Sequence, residues 1–522
     1  MCGIAGAAGT PEIDTKVKKM LAALQHRGPD ACGIYQAENL SMGNTLLKIT
    51  GDMPQPLVGK GALVLNGEIF NFRELAVESG VKTDSDTCVL FSLIETRIKE
   101  GNTPIDAVFS VLSSVNGDYA LAYACDSELV LARDPVGVKP LFYLSGKGKE
   151  KPEVFFASEK KGLFYEGRNK AFSTLESIPN LSQEGIPNFS PESNLTSSQK
   201  SILTFPPGSI FSFNIQNGSF EERSLKIEPP QERISEEREA AFRLRQALEK
   251  AVELRLTSTS GISFSGGIDS AFLAALAKKF NPAIALYTVG LPDSHDVIQA
   301  EHAAEAVGMK DSLKIHLLSL EEIEAAVPHV IYATESVDPM KIAIGLPLYF
   351  VAKTAKEDGK RVLLTGQGAD ELFGGYKRHE GLFEKGPQVL DREIYSDLRN
   401  ISVINLERDD MVAMANSVEL RVPFLDKEVI NVGLAISPEL KVLKKDGTYI
   451  RKYILRKAAE GLLPPELLLK EKKAMQYGTG VQKTLDKLAR DAGFSKKEGD
   501  HVEKYLRQVA SEKRLGFIAG WE

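Results

Sequence analysis

The chain has 522 residues, 43% of them hydrophobic, and a net charge of -7. That length exceeds the usual span of one hydrophobic core and predicts two or more domains, while the acidic balance argues against a nucleic-acid-coating surface and for small partners. The four cysteines, Cys2, Cys32, Cys88 and Cys125, lack the paired spacing of a zinc site or disulfide framework. No basic-then-apolar leader and no run of about 18 apolar residues occurs, so a cytoplasmic location without membrane contact is expected.

The chain opens MCGIAG. Either Cys2 is an ordinary small apolar residue, or removal of Met1 leaves a thiol beside its own free α-amine, a nucleophile and a base on one residue. From Gly61 to about Glu159, short β-prone runs follow one another: GALVLNGEIFNF, DYALAYA, ELVLARD, PLFYL and VFFASE. Their alternation and close spacing predict antiparallel strands, with one helix over Thr87 to Lys99. The stretch Glu166 to Lys200, rich in Ser, Asn and Pro, reads as loops, and SIFSFNIQNGSFEERSL as a closing strand pair.

At PPQERISEE two prolines precede a charged helix, about Ser235 to Leu256. The rhythm then changes to strand GISFS, helix AFLAALAKKF, strand AIALYTVG, helix VIQAEHAAEAVG and strand SLKIHLL. Helical segments at Glu321 to Glu335 and Gly345 to Glu357 lead to strand RVLLTG. Strands alternating with helices predict a parallel sheet covered on both faces.

Ser265-Gly266-Gly267-Ile268-Asp269-Ser270 falls where the first of those strands hands over to its helix. Glycines allow close backbone approach, the helix N-terminus attracts anions and serine hydroxyls donate to phosphate oxygens. No Gly-Lys-Ser/Thr follows, so this is not a Walker loop. A second loop, Gly366-Gln367-Gly368-Ala369-Asp370, follows RVLLTG, and two strand-end loops converge on one crevice at the carboxyl edge of such a sheet. Asp269 and Asp370 would then share Mg²⁺ with a triphosphate. A glycine turn and an acidic helix cap are the plainer readings of the two loops.

SGGIDS with GQGADELFGGY and RVPFLD resembles the ATP pyrophosphatase domain of asparagine synthetases, which splits ATP between the α- and β-phosphates to adenylate a carboxylate. HRGPDACG, LNGEIFNF, SDT and RDPVGVKPLFY resemble a class II glutamine amidotransferase domain. The order of the halves is that of the glutamine-hydrolysing asparagine synthetase family, from Cys2 to about Gly480. The resemblance implies an N-terminal antiparallel αββα sandwich of the N-terminal nucleophile type over 2–212, a linker over 213–234 and a parallel-sheet synthetase domain over 235–522.

It also implies roles. Cys2 attacks the side-chain amide of glutamine with its α-amine as base, and Asn66 and the Gly67 N–H stabilise the oxyanion. Glu68 and Asp86 meet the α-amino group of glutamine, and Arg27 organises the loop around the thiol. Phe264, Val289, Gly290 and Gly366 lie near adenine and ribose, and Ser265, Gly266, Gly267, Asp269, Ser270 and Gln367 belong to the ATP site. Lys472 neutralises charge in the transition state. The implied substrates are glutamine, aspartate and ATP, with Mg²⁺; a homodimer is left open. For Asn66 a strand-end turn, and for Lys472 a solvated lysine run, are the rival readings; Cys32, Cys88 and Cys125 read as packing residues.

Three positions depart from the family pattern. Leu46-Leu47-Lys48 stands where many members have an arginine for the glutamine α-carboxylate, leaving Lys48 or another cation to replace it. Gln367 replaces a common glutamate, so a base, if one is needed, would be Glu371 or Glu335. The segment Asp338 to Ala343 lacks an arginine and offers Lys341 to the acceptor. Amidation of another carboxylate, and a non-catalytic protein that binds ATP or glutamine, are therefore kept as alternatives; MCG with LNGE counts against ring closure without glutaminase chemistry. The tail after about Val481 reads as a surface helix or partner contact.

Overall fold

The computed structural model describes residues 2–10, 12–147, 152–164, 202–469, 478–513 and 515. Lys472 and the stretch 166–200 lie outside the described residues. The alternating runs of the N-terminal half form strands β1 (Cys2–Ala8), β2 (Ala31–Ala37), β3 (Leu40–Leu46), β4 (Leu57–Val58), β5 (Ala62–Ile69) and β6 (Gly117–Cys125). They continue as β7 (Glu128–Arg133), β8 (Phe142–Lys147), β9 (Pro152–Ala157), β10 (Leu203–Thr204), β11 (Ser209–Asn214) and β12 (Phe220–Ser224). Two six-stranded antiparallel sheets result, ordered β10-β8-β9-β1-β3-β2 and β12-β11-β7-β6-β5-β4.

Because strand side chains alternate, each sheet has two distinct faces. Ile4, Ala8, Leu40 and Met42 of the first sheet meet Ala62, Val64, Ala120 and Ala122 of the second in one apolar layer. Ala5 and Ala7 face outward onto the helix Ile13–Ala23, through Val17, Met20 and Leu21. On the far side, Leu63 and Leu65 pack on the helices Asp86–Lys99 and Pro104–Ser114. Each of those helices starts where a side-chain oxygen caps it, Ser85 accepting from the Cys88 N–H and Thr103 from the Asp106 N–H. The architecture is an αββα sandwich. Only one of its helices was readable in the sequence, since Ile13–Ala23, Phe72–Ser79 and Pro104–Ser114 lie among charged or strand-like runs.

The hairpin of β11 and β12 keeps 213–224 inside the second sheet, so the connecting segment is 225–236 rather than 213–234. Asn214 shapes the turn, its side chain accepting from the N–H groups of Gln216 and Asn217.

In the C-terminal half, β13 (Ser260–Ser263), β14 (Ala285–Gly290), β15 (Leu313–Leu317), β16 (Val362–Leu364) and β17 (Glu419–Arg421) form one parallel sheet ordered β15-β14-β13-β16-β17. The chain builds outward from β13 on one side and from β16 on the other. The crevice past their carboxyl ends is therefore the switch point where ligands bind in such sheets. The helices Glu237–Arg255 and Ile268–Phe280 cover one face. Leu320–Thr334 and Pro339–Glu357 cover the other, the latter starting six residues before the expected Gly345 because Asp338 caps it and Pro339 opens its first turn.

The tail is not a surface appendage. Helices Val481–Asp491 and His501–Glu512 bury Val481, Leu485, Leu488, Tyr505 and Leu506 in that second core. Their charges line only the outer face, which is what the sequence pattern showed. No described helix is long and apolar enough to cross a membrane.

Candidate functional site

The register of the sandwich brings the sequence-selected residues of the first half to one end of the inter-sheet gap. Cys2 and Ile4 share a face of β1 with their partners Leu46 and Asn44 on β3. Asn66 and Glu68 continue the inward face that Ala62 and Val64 begin on β5. Cys2 is 4% exposed, and its backbone nitrogen donates to Asn66 Oδ1 at 3.2 Å. The Asn66 Nδ2 donates to Ser158 Oγ at 3.5 Å. At Gly67 the neighbouring strand comes close: a Cβ there would lie 2.2 Å from the Asp118 carbonyl oxygen, so no other residue fits.

Burial raises the Cys2 thiol above its ordinary pKa, while the N-terminal charge, the Leu47 N–H and the Asn44 side chain pull it back. Arg27 is fully buried; its Nε donates to the Cys2 carbonyl at 3.1 Å, and its two terminal nitrogens pair with Glu159 and Asp410, each at 2.7 Å. Glu159 also holds Lys161 and His26.

Glu68 and Asp86 lie side by side. Burial, then the charge of Glu68, pushes Asp86 up to about 7; burial likewise raises Glu68. Asp86, raised by burial and by the Glu68 charge, is a carboxylate that a bound ammonium group would stabilise, whereas Glu68 is already paired with a buried arginine. The sign follows: below about pH 7 Asp86 takes up a proton and loses its attraction for a cation. The Michaelis constant for glutamine is expected to rise as pH falls through neutrality, and Asp86→Asn to flatten that dependence; a constant KM across this range contradicts the assignment.

Lys48 does not replace the missing arginine: its ammonium pairs with Asp52 at 2.6 Å on the surface. A second buried cation beside Arg27 reaches this gap: Arg421, from RVPFLD in the other half. It is 1% exposed and bonds Glu68 at 2.8 Å and Glu419 at 2.7 Å. Sequence reasoning placed RVPFLD only in the synthetase half, and nothing local to it signals a partner 353 residues away.

The second site is a cavity of about 440 Å³ at the switch point, lined by residues of both strand-end loops. Ser265, Gly267, Asp269, Ser270, Gly366, Gln367 and Asp370 line it, whereas Phe264, Gly266, Val289 and Gly290 do not. Phe264 is 1% exposed with its ring in the hydrophobic core, which leaves its backbone for any ligand. Gly266 has φ +69°, and a Cβ there would meet the Gln299 carbonyl at 2.6 Å, so the tight turn requires glycine. The helix Ile268–Phe280 begins at Gly267 with no side-chain cap, leaving its first N–H groups for an anion. Gly366 packs against Asp269, which brings the two loops together.

Lys452 was not singled out from the sequence. Its ammonium is held by both oxygens of Asp269, at 2.8 and 2.7 Å, and by Asp370 at 2.8 Å. It is 3% exposed and its backbone is left-handed, φ 54°, a conformation that costs a lysine free energy and here aims the side chain between the two loops. Glu371 and Glu335 are both committed elsewhere. Glu371 accepts from Tyr376 and Asn405, and Glu335 from the Lys160 and Lys161 N–H groups near the first half. The carboxylate that meets Gln367 is Asp409, which accepts from Gln367 Nε2 at 2.5 Å and from Arg408 at 2.8 Å. Asp409 is 3% exposed and burial raises its pKa. Lys341 is partly buried near Glu407, Asp338 and Arg408, and desolvation lowers its pKa.

The helix Glu407–Met414 runs between the two sites. Asp409 faces the cavity; the next residue, Asp410, binds Arg27 under Cys2. Glu407 pairs with Arg133 at 3.2 Å, and Met414 packs on Leu47. The loop Arg133 to Lys139 is an interface device: the Asp134 carboxylate accepts from the Val136, Gly137, Val138 and Lys139 N–H groups, and the Lys139 ammonium donates to the Leu420 carbonyl.

Family models match both halves in order: a glutamine amidotransferase domain over residues 1–224 and asparagine synthase over 243–386 and 382–515. A putative asparagine synthetase [glutamine-hydrolyzing] 1 from Methanocaldococcus jannaschii is 34% identical, covering 98% of this chain and 100% of its own length. Asparagine synthetase [glutamine-hydrolyzing] 1 of Bacillus subtilis is 30% identical over 90% of this chain and 86% of its own. That of Brassica oleracea is 29% identical over 92% and 78%. With two sites on two matched halves and this likeness along almost the whole chain, the protein belongs to the glutamine-hydrolysing asparagine synthetase family.

Proposed function

We propose that the chain hydrolyses glutamine at Cys2 and uses the released ammonia to convert aspartate into asparagine with ATP, yielding glutamate, AMP and pyrophosphate. The observation that carries this reading is the helix Glu407–Met414, whose adjacent residues Asp409 and Asp410 engage the two sites. After loss of Met1, the Cys2 α-amine takes the thiol proton and sulfur attacks the glutamine amide carbon. The oxyanion is met by the Asn66 amide and the Gly67 N–H, ammonia leaves, and water hydrolyses the thioester. The glutamine α-ammonium sits between Glu68 and Asp86, with Arg27 holding the Cys2 carbonyl.

Ammonia then moves along the buried helix to the cavity, where the aspartate side-chain carboxylate has attacked the ATP α-phosphate. Excluding water there protects the acyl-adenylate. Ser265, Gly266, Gly267 and Ser270 cradle phosphates, with the Phe264 backbone, Val289, Gly290 and Gly366 toward the nucleoside, and Lys472 adds positive charge. Asp269 and Asp370 converge on one cation position, and their all-oxygen donor set suits Mg²⁺ completed by phosphate and water, since no described cluster supplies three or more ligands. Bound there, Mg²⁺ would supply charge neutralisation for the polyphosphate, beside the positive charge of Lys452. Asp409 accepts the proton that the attacking nitrogen sheds, in place of a carboxylate at Gln367. A cytoplasmic location suits four free cysteines.

The test is an acceptor screen read by pyrophosphate release. Aspartate with ATP and glutamine is expected to give pyrophosphate and asparagine; ATP-dependent turnover with some other acid alone would sink the aspartate assignment. Failure to hydrolyse either glutamine or ATP would favour a binding protein.

A further inference from the structure

Next to Cys2 the sheet carries a second amide with no assigned task. Asn44 is on β3, paired with Ile4 of β1 and with Gly33 of β2. In an antiparallel pair, facing residues project to the same side, and so do residues two apart on one strand. Asn44 therefore stands on the same face as Cys2 and diagonally across from it. It is 0% exposed, and neither its Nδ2 nor its Oδ1 has a hydrogen-bond partner within the described residues. Apolar side chains surround the position along the strand: Met42 and Ile4 belong to the inter-sheet core and Leu46 is buried.

A primary amide with both polar atoms buried and unpartnered is costly, and leucine would fill such a place at no polar cost. Its retention calls for a partner that arrives or becomes charged during turnover. The polar group that Asn44 faces is the Cys2 sulfur, and its amide favours the ionised form of that sulfur.

We infer that the Asn44 side-chain amide, together with the Leu47 N–H just past the end of that strand, forms a cradle that holds the Cys2 thiolate for attack on glutamine. Asn44 gives up no proton. The thiol proton passes to the Cys2 α-amine, and the Asn44 Nδ2–H bonds the sulfur while the charge is there. As the C–S bond forms, the charge moves from sulfur to the oxyanion held by Asn66 and Gly67 and the amide of Asn44 is released; the oxyanion then collapses to the thioester as the C–N bond breaks, and the Cys2 α-ammonium returns its proton to the leaving nitrogen, which departs as ammonia. β3 thus serves the sulfur and β5 the oxyanion, from opposite sheets of the sandwich. Burial of Cys2 makes this donor necessary, since desolvation otherwise favours the uncharged, unreactive thiol.

This inference rests on Cys2 as the nucleophile, and the experiment separates the two. Asn44→Leu removes the amide and leaves an apolar side chain of similar size. It is expected to keep ammonia-dependent synthesis and thermal stability, to lower glutaminase kcat about 10²-fold with KM for glutamine little changed, and to raise the pH midpoint of Cys2 alkylation by iodoacetamide by about one unit. Asn44→His, which keeps an N–H donor, is expected to recover part of the rate and of the midpoint. Unaltered kcat and alkylation midpoint in Asn44→Leu, with Cys2→Ala inactive as a glutaminase, would overturn the cradle but leave the nucleophile standing. Full glutaminase activity in Cys2→Ala overturns both. If Asn44→Leu does not fold, as judged by lost ammonia-dependent synthesis, Asn44→Ala is read by the same two quantities with the same meaning.

Discussion

Cys2→Ala is expected to lower glutamine-dependent asparagine formation by roughly 10³-fold or more, while synthesis from added ammonium chloride stays at the wild-type rate. The sulfur is the only heavy atom lost, and it lies in the inter-sheet gap, where no other thiol is placed among the described residues. Cys32 is exposed on β2, Cys88 sits in the helix Asp86–Lys99 and Cys125 ends β6 beside Asp126. Alanine fits where cysteine did, so the Arg27 bridge to Asp410 and the rest of the interface persist. Equal loss of both activities would mean that Cys2 supports the fold instead of reacting. Retention of both would place the glutaminase elsewhere.

The second large effect is expected at Lys452. Lys452→Met removes the cation from between Asp269 and Asp370. Synthesis from either nitrogen source is expected to fall about 10²- to 10³-fold, the usual cost of losing a preorganised charge at a reacting phosphate. Taking the ammonium away from buried Asp269 and partly buried Asp370 also destabilises the C-terminal half. Glutaminase turnover is the internal control: Cys2 and its partners are held by the N-terminal sandwich, so glutamate release is expected to continue. Synthesis at the wild-type rate would show that Lys452 only neutralises the two aspartates.

These two residues differ in how legible they were. Cys2 follows the initiator methionine, and Asn66 and Glu68 were read with it through the family resemblance that LNGE carries; the structure then places both on one face of β5. SGGIDS was legible from its own residues: a glycine turn between a strand and a helix has local chemistry. Lys452, Arg421 and Asp409 have no such local mark. Each is one charged residue among many, and only tertiary pairing distinguishes it from a solvated side chain. Arg421 in particular is drawn to Glu68 by the packing of one half on the other. Lys48 looked like the natural replacement for the absent arginine because it is near in sequence, but it lies past the end of β3 and its ammonium turns outward to Asp52.

The same limit explains the tail. Helices Val481–Asp491 and His501–Glu512 carry strongly amphipathic patterns, and an apolar stripe does not say whether it covers its own sheet or a partner. In this fold it closes the face that β14 and β16 leave open, through Tyr287 and Leu363. The hairpin of β11 and β12 extends the first half past its expected end for a physical reason too: β7 would otherwise be an open edge.

The buried ion pairs between the halves have a consequence for coupling. Arg27 with Asp410, Arg133 with Glu407 and Arg421 with Glu68 are all nearly closed to solvent. Removing one partner of such a pair costs far more than the pair contributes. They fix the two sites in one frame, and the Thr365 N–H bonded to the Arg421 carbonyl at 3.0 Å ties the loop that carries Gln367 to the same residue that holds Glu68.

The central claim is that nitrogen passes from glutamine to the acceptor inside one protein. Its most direct test supplies amide-¹⁵N glutamine, aspartate and Mg·ATP in the presence of excess unlabelled ammonium at a pH where ammonium competes poorly, and follows the label by mass spectrometry together with pyrophosphate. Asparagine is predicted to carry ¹⁵N, one label for each pyrophosphate released. Asparagine labelled only to the level of the mixed ammonium pool, or pyrophosphate formed without labelled asparagine, would contradict it.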